Sequence, residues 1–142
     1  MLVKALSYIT QGESLLVFRQ PDFPDQGIQV PGGSVEPGEA LAEAALREAR
    51  EETGLSALST QSYLGSAQYE LRVDVGPPHL RHFFHLTHAA SSPASWRHPG
   101  SRRSDGRLVT FELYWAPLLT VRLDWEMDAA LAALRSSLTR RA

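Results

Sequence analysis

Residues 33 to 55 read GSVEPGEALAEAALREAREETGL, and this stretch decides the fold of the chain. The run of alanine and leucine in its middle favours a helix. Pro37 and Gly38 lie just outside the N-terminal end of that helix, and Glu39 falls in its first turn, near the positive end of the helix dipole. Gly54 suits the left-handed position that commonly follows a helix. The stretch therefore predicts a loop followed by a helix that ends at Gly54.

One face of this helix changes from alanine to glutamate halfway along its length. At about 100° per residue, the core-facing stripe contains Leu41, Ala44, Ala45, Glu48, Glu52 and Leu55. Glu51 lies beside the stripe, whereas Glu43 and Arg50 fall on the solvent side. A helix that only packed would not carry these acids, because buried unpaired carboxylates are costly and neighbouring ones repel. A divalent cation removes both penalties, and all-oxygen ligation without cysteine indicates Mg²⁺ or Mn²⁺.

The same positions match a family motif. The stretch resembles the signature of the Nudix hydrolases: a glycine, five residues, Glu, seven residues, Arg-Glu, a hydrophobic residue, any residue, Glu-Glu, any residue, glycine and a hydrophobic residue. Every fixed position is matched here, by Gly33, Glu39, Arg47, Glu48, Ala49, Glu51, Glu52, Gly54 and Leu55. The motif covers about a sixth of the chain and is very specific.

The resemblance implies both a fold and an activity. The fold is α/β: a single Nudix domain over residues 1–142, built as an α/β/α sandwich with a mixed sheet between helices. The activity is Mg²⁺-dependent or Mn²⁺-dependent hydrolysis of the pyrophosphate in a nucleoside diphosphate linked to another moiety. The expected metal ligands are Glu48, Glu51 and Glu52, then the carbonyl of Gly33, and then Glu39, through water.

Two residues of the motif are candidates for catalytic roles. Arg47 either orients the carboxylates, by pairing with Glu51 or Glu43, or contacts phosphate, and we expect the orienting role. Glu48 is our choice of general base, because the resemblance places the base on a signature glutamate in some members. In other members it is a distant loop acid, so the alternatives outside the motif are Glu70, Asp74 and Glu112.

Three further residues are candidates for substrate binding. Arg19 ends a predicted strand just before a loop. Trp96 and Arg97 belong to residues 89–107, which are rich in Ser, Pro, Gly and Arg and lack periodicity. This segment predicts a long basic loop, either a mobile surface or a lid that contacts substrate phosphates. The other two tryptophans are expected in the core or at its rim, and none of the five histidines is expected to bind a metal.

The rest of the chain predicts strands on both sides of the helix, and then a second helix. A hairpin of Leu2–Ile9 and Ser14–Arg19 is followed by a short strand, Ile28–Val30, that enters the glycine turn, Pro31-Gly32-Gly33. Later strands are expected at residues 61–64, 67–75, 80–88 and 108–115, with 67–75 and 80–88 paired antiparallel, and the second helix is expected at residues 125–138. This order of elements is consistent with a mixed sheet that has a helix on each side.

Composition limits the classes of function. The 142 residues, 43% hydrophobic and 21% charged, are typical of one globular domain. A net charge of -2 excludes a generally basic nucleic-acid-binding protein but allows a local basic patch. The absence of cysteine excludes disulfides and fits a cytoplasmic protein, and no apolar run is long enough to span a membrane.

Three functions follow from these observations. The first is pyrophosphohydrolysis of a small nucleotide derivative. The second is the same chemistry at the 5′ end of an RNA, gripped by the arginines of residues 89–107. The third is a non-catalytic nucleotide sensor with the Nudix fold, which we rank last because a sensor would usually carry a damaged motif.

Overall fold

The computed structural model describes residues 1–70, 76–102 and 106–139, and for residues 101 and 102 it describes the backbone alone. The strands of these ranges are β1 (Leu2–Gln11), β2 (Ser14–Arg19), β3 (Gly32–Ser34), β4 (Leu58–Tyr69), β5 (His79–His88), β6 (Ser95–Arg102) and β7 (Leu108–Pro117). The helices are α1 (Leu41–Thr53) and α2 (Leu131–Thr139), with a short 3₁₀ turn at Pro24–Gln26. Part of the predicted strand 67–75 and the candidate base Asp74 lie outside the described residues.

One mixed sheet, ordered β4-β5-β1-β2-β7-β6, organises the chain. β1 runs parallel to β5, and the other neighbours along this order pair antiparallel. β1 and β2 pair beside their hairpin turn, at Thr10 with Leu15 and at Gln11 with Ser14. Nearer its N-terminus, β1 pairs with β3, and Ala5 is opposite Gly33. The glycine turn therefore enters the middle of the sheet.

Each face of the sheet is covered by one helix. β1 alternates between the two faces, with Ala5 and Ile9 packing in the core on the α1 side and Leu6 and Tyr8 in the core on the α2 side. The apolar run of β2 is buried on both faces, as its sequence predicts. This arrangement confirms the predicted α/β fold with a mixed sheet between helices. None of the described helices has the length and apolarity needed to cross a membrane.

The prediction of a long loop over residues 89–107 is wrong for its central part. Residues 95–102 form β6, which pairs antiparallel with β7 at the edge of the sheet. An edge strand tolerates proline, and the pairing is irregular after Pro99. The sequence of β6 shows no alternation of apolar and polar residues that would predict a strand. The strand forms because it pairs with β7. Arg103 lies outside the described residues.

The bounds of both helices differ from those predicted. α1 begins at Leu41, so Glu39 precedes the helix instead of lying in its first turn, whereas Gly54 ends it in the predicted left-handed conformation, with φ of 75°. α2 begins at Leu131 and not at Trp125. Trp125 and Glu126 have φ of 59° and 56°, which a right-handed helix cannot contain.

Two strand predictions also need correction. Residues 61–64 and 67–69, predicted to belong to two separate strands, lie in one continuous strand, β4, whose pairing with β5 shifts register at two places. The short strand predicted at Ile28–Val30 is replaced by β3, which consists of Ser34 and the two glycines that were predicted to form the glycine turn, so this turn is extended backbone and keeps only its name. Within Ile28–Val30, Gln29 makes an isolated bridge to Phe18.

Candidate active site

The glycine turn lies against two glutamates of α1. The backbone N–H of Gly32 donates to Oε1 of Glu52 at 2.8 Å. Gly33 faces Glu48 so closely that a Cβ added there would lie 2.5 Å from each carboxylate oxygen. Space, and not a positive φ, therefore requires glycine at position 33 and allows the backbone to approach the carboxylate.

The carboxylates of α1 differ in their exposure. Glu52 is 8% exposed, and burial raises its pKa to about 8, against the lowering effect of the Gly32 N–H and with a further rise from Glu48 and Glu51. Burial also raises the pKa of Glu48, although Arg47 opposes that rise. The side chain of Glu51 is 59% exposed. α1 thus holds one buried and one partly buried carboxylate that repel each other.

Arg47 ties these acids to the loop before α1. Its guanidinium donates to both oxygens of Glu39, at 2.7 and 2.9 Å, and to Glu48 at 3.0 Å. It also reaches Glu51 at 3.5 Å and the carbonyl of Ser34 at 3.0 Å. These contacts support the orienting role, with Glu39 as the closest partner and not the Glu43 considered from sequence.

Glu39 closes the loop that leads into the helix. Its Oε1 also accepts the N–H of Glu36 at 3.0 Å, so both oxygens have protein donors. The hydrogen bonds from Arg47, followed by that from Glu36, lower its pKa to about 2. These contacts give Glu39 a structural role in the loop, and metal ligation by Glu39 stays a prediction.

The donor set at this turn fits a divalent cation. Glu52 is a buried carboxylate without a cationic side chain among its described contacts, and the backbone at Gly33 closely approaches the carboxylate of Glu48. Within the described ranges, no three acidic or histidine side chains form a preformed metal cluster. Glu48 bonds to Arg47, and Glu52 bonds to Gly32. To bind a cation, Glu48 and Glu52 would therefore have to exchange these hydrogen bonds for bonds to the metal.

A second charged group lies on strands β2, β6 and β7, away from the motif. Glu112 accepts a salt bridge from Arg19 at 2.9 Å and another from Arg97 at 3.3 Å. Arg19, and then Arg97, lower the pKa of this partly exposed carboxyl. Glu112 is therefore a weak proton acceptor, and Glu70, the other described alternative base, is exposed at the end of β4. Substrate binding by Arg19 and Arg97 stays a prediction.

Trp96 contacts the end of α1. Its indole N–H donates to the carbonyl of Thr53 at 2.9 Å, and its ring packs against the core on the α1 side. His98 reaches the same helix end, with its Nε2 2.8 Å from the carbonyl of Glu51. These contacts favour a structural role for Trp96, and its role in substrate binding stays a prediction.

A cavity of about 220 Å³ lies beside the segment that leads into the glycine turn. It is lined by Gln26, Gln29, Tyr69, His79, Arg81, Trp125 and Met127. Sequence reasoning weighed Trp125 and the histidines but did not find this cavity. Its walls come from four separate segments, and no local pattern predicts that they meet. The sequence feature that comes nearest to indicating this cavity is the position of Gln29, three residues before Gly32.

Comparisons with known proteins identify the family of the chain. The profile of the NUDIX domain matches residues 3–135. Over 50 residues, the chain is 53% identical to the protein described as putative 8-oxo-dGTP diphosphatase YtkD of Bacillus subtilis (strain 168), and this match spans 35% of the chain and 30% of that protein.

Two solved structures share the fold at low sequence identity. A C. elegans Ap4A hydrolase in a binary complex matches with a TM-score of 0.70 and 18% identity, and the match covers 99% of each chain. A UDP-X diphosphatase matches with a TM-score of 0.67, 16% identity, and coverage of 96% of this chain and 63% of that one. Because the domain profile covers most of the sequence, the chain belongs to the Nudix hydrolase family.

Proposed function

We propose that this protein hydrolyses the pyrophosphate bond of a small nucleotide derivative, a nucleoside diphosphate linked to another moiety, with Mg²⁺ or Mn²⁺. The observation that carries the proposal is the placement of Glu48 and Glu52 against the Gly32-Gly33 turn. A buried carboxylate is unfavourable without a cation, and the only nearby guanidinium, among the described residues, bonds to Glu48 and not to Glu52.

The residues of the site have distinct roles in this proposal. Glu48, Glu51, Glu52 and the carbonyl of Gly33 would hold the cation, which supplies charge neutralisation on the pyrophosphate and activation of water. Glu48 is the proposed general base, because it is partly buried and lies at the turn. Arg47 holds Glu48 and the loop in place. Positioning and charge neutralisation suit this reaction, because phosphoryl transfer requires little covalent chemistry from the protein.

The relatives support the class of substrate. Their names refer to 8-oxo-dGTP, Ap4A and UDP-X, all of which join a nucleoside to phosphoric anhydride bonds. In this chain the cavity beside Gln29 is the proposed site of the nucleoside, because Gln29 and the glycine turn belong to one segment. The pyrophosphate would then extend from the cavity toward Glu48.

Product analysis in ¹⁸O-labelled water tests the proposed reaction. The protein is incubated with nucleoside triphosphates, dinucleoside polyphosphates and nucleotide sugars, with Mg²⁺, with Mn²⁺ or with a chelator. We expect cleavage between two phosphorus atoms of at least one compound, with one ¹⁸O in one phosphoryl product and no cleavage in chelator. Cleavage that persists in chelator, or no cleavage of any compound, contradicts the proposal.

Salt dependence separates a small nucleotide from an RNA end. The exposed arginines Arg19 and Arg97 both pair with Glu112, which leaves less free positive charge to grip a backbone. We therefore expect KM for the best small substrate to change little between 50 and 200 mM salt, about threefold or less. A polynucleotide that releases several counterions would bind about a thousandfold more weakly over that range, and such a loss would favour the RNA function.

Replacing Gly33 by Ala is expected to lower turnover about 100-fold. The added methyl group would lie 2.5 Å from each oxygen of Glu48, so this carboxylate must move away from the turn. The measurements are kcat, the Mg²⁺ concentration for half-maximal activity, and Tm. Gly100→Ala is the control: its methyl group would meet the ring of Phe111 at 2.6 Å, and the nearest atoms include no carboxylate. It should lose about 1–3 kcal/mol of stability with an unchanged metal requirement. Unchanged kcat in Gly33→Ala would contradict the role of Glu48.

A further inference from the structure

The cavity contains a buried cation. Arg81 is 6% exposed, and its guanidinium lies 3.8 Å from the centre of the Tyr69 ring. Its Nη1 donates to the carbonyl of Trp125 at 2.5 Å, the one hydrogen bond of this group among the described residues. Among those residues the salt bridges involve Arg19, Arg47 and Arg97, so no carboxylate lies within salt-bridge distance of Arg81, although the charge of Glu126 acts on it. The guanidinium therefore has donors for a ligand in the cavity it lines.

An aromatic wall of the cavity is held in an unfavourable backbone conformation. Trp125 and Glu126 both have positive φ, which costs on the order of 1–3 kcal/mol for each residue. Surrounding hydrogen bonds hold the segment: the indole N–H of Trp125 donates to the carbonyl of Gln26 at 2.7 Å, and the hydroxyl of Tyr8 donates to the carbonyl of Met127 at 2.6 Å. Trp125 is 38% exposed and lines the cavity, so its indole offers a fixed surface to a planar ring.

Gln29 supplies an acceptor beside this cation. Its amide nitrogen donates to the carbonyl of Gln26 at 2.8 Å, which fixes the amide and leaves its oxygen as the group that can accept from a ligand. Burial, followed by Lys4 and Arg81, lowers the pKa of His79, so the positive charge of the cavity wall comes from Arg81. The wall therefore combines a cationic donor with a neutral acceptor.

We propose that Arg81 and Gln29 select a nucleobase that carries a ring carbonyl next to a ring N–H, as in a 6-oxopurine, over a 6-aminopurine, while Trp125 stacks on the ring. The carbonyl would accept from the guanidinium, and the ring N–H would donate to the Gln29 oxygen. A 6-aminopurine reverses both groups and leaves the buried donor and acceptor unpaired. The selection rests on the proposed function, because it assigns the nucleoside to this cavity.

Binding of inosine and adenosine 5′-monophosphates tests the selection, since the two compounds differ at this edge of the base alone. Dissociation constants are measured by calorimetry with the full chain in Mg²⁺. We expect the wild type to bind the inosine compound about tenfold more tightly or better. Arg81→Lys keeps the charge but loses the planar fork, and Gln29→Leu removes the acceptor, so each should bring the ratio close to one.

A matched arginine serves as the control. Arg135 also donates to backbone carbonyls, those of Leu118 and Val121, but it does not line this cavity. Arg135→Lys should change Tm without changing the binding ratio. Arg81→Lys also removes the hydrogen bond from Arg81 to the carbonyl of Trp125. Its result is therefore interpreted together with that of Gln29→Leu, which keeps this hydrogen bond.

The outcomes separate the selection from the proposed reaction. Equal binding of the two compounds by the wild type, or a ratio that neither variant changes, overturns the selection even if the protein cleaves nucleotides. A preference for the inosine compound that both variants lose supports the selection even if no pyrophosphate bond is cleaved.

Discussion

Replacing Glu52 by Gln is expected to lower Mg²⁺-dependent turnover about 1000-fold and, at the same time, to stabilise the metal-free protein. A ligand lost from the cation removes several kcal/mol of charge stabilisation from the transition state. Glu52 is 8% exposed and lies near Glu48 and Glu51, whose charges disfavour its ionised form. The amide oxygen of glutamine can still accept the Gly32 N–H, so the fold keeps that bond while the charge is removed.

The experiment combines kinetics with thermal unfolding in chelator, Mg²⁺ and Mn²⁺. For the wild type, Tm should rise with either cation. For Glu52→Gln, stability in chelator should exceed that of the wild type by roughly 1–3 kcal/mol, and the cations should change it little. Glu43→Gln is the matched control, because Glu43 is exposed on the opposite side of α1. Full activity in Glu52→Gln, or a metal-induced rise in Tm as large as that of the wild type, would contradict the assignment of Glu52.

The local signals of α1 predicted the helix that carries the candidate site. The alanine stripe is buried, Glu52 continues it, and Gly54 ends the helix with a positive φ, because helical periodicity and capping depend on nearby residues. The exposure of Glu51 and the pairing of Arg47 with Glu39 were not predicted. They depend on how the loop before α1 folds back on the helix.

The parts that sequence reasoning missed depend on distant partners. β6 exists because β7 offers an edge, and no alternation in its own sequence indicates a strand. The left-handed conformation of Trp125 and Glu126 is held by bonds to residues far away in the sequence, such as Gln26 and Arg81. Apolar periodicity alone therefore extended α2 six residues too far toward the N-terminus.

The second large effect is expected at Arg47, where Met should lower turnover about 100-fold. This guanidinium bridges Glu39, Glu48 and the carbonyl of Ser34, so its loss frees the loop and the proposed base together. The side chain of Arg47 is 26% exposed, so water can satisfy some of the groups that lose their partner. We therefore expect a loss of stability of only about 1–3 kcal/mol. Arg50→Met, on the exposed side of the same helix, is the control and should keep both activity and Tm close to those of the wild type.

Kinetics of Arg47→Met and Arg47→Lys distinguish the orienting role from contact with phosphate. If Arg47 positions the carboxylates, both variants should need more Mg²⁺ for half-maximal activity, and excess Mg²⁺ should restore part of kcat. Arg47→Lys should lose most of the activity that arginine supports, because a single ammonium cannot make the paired hydrogen bonds to Glu39. If Arg47 instead binds the substrate, KM for the nucleotide should rise while the Mg²⁺ requirement stays constant, and that result would overturn the orienting role.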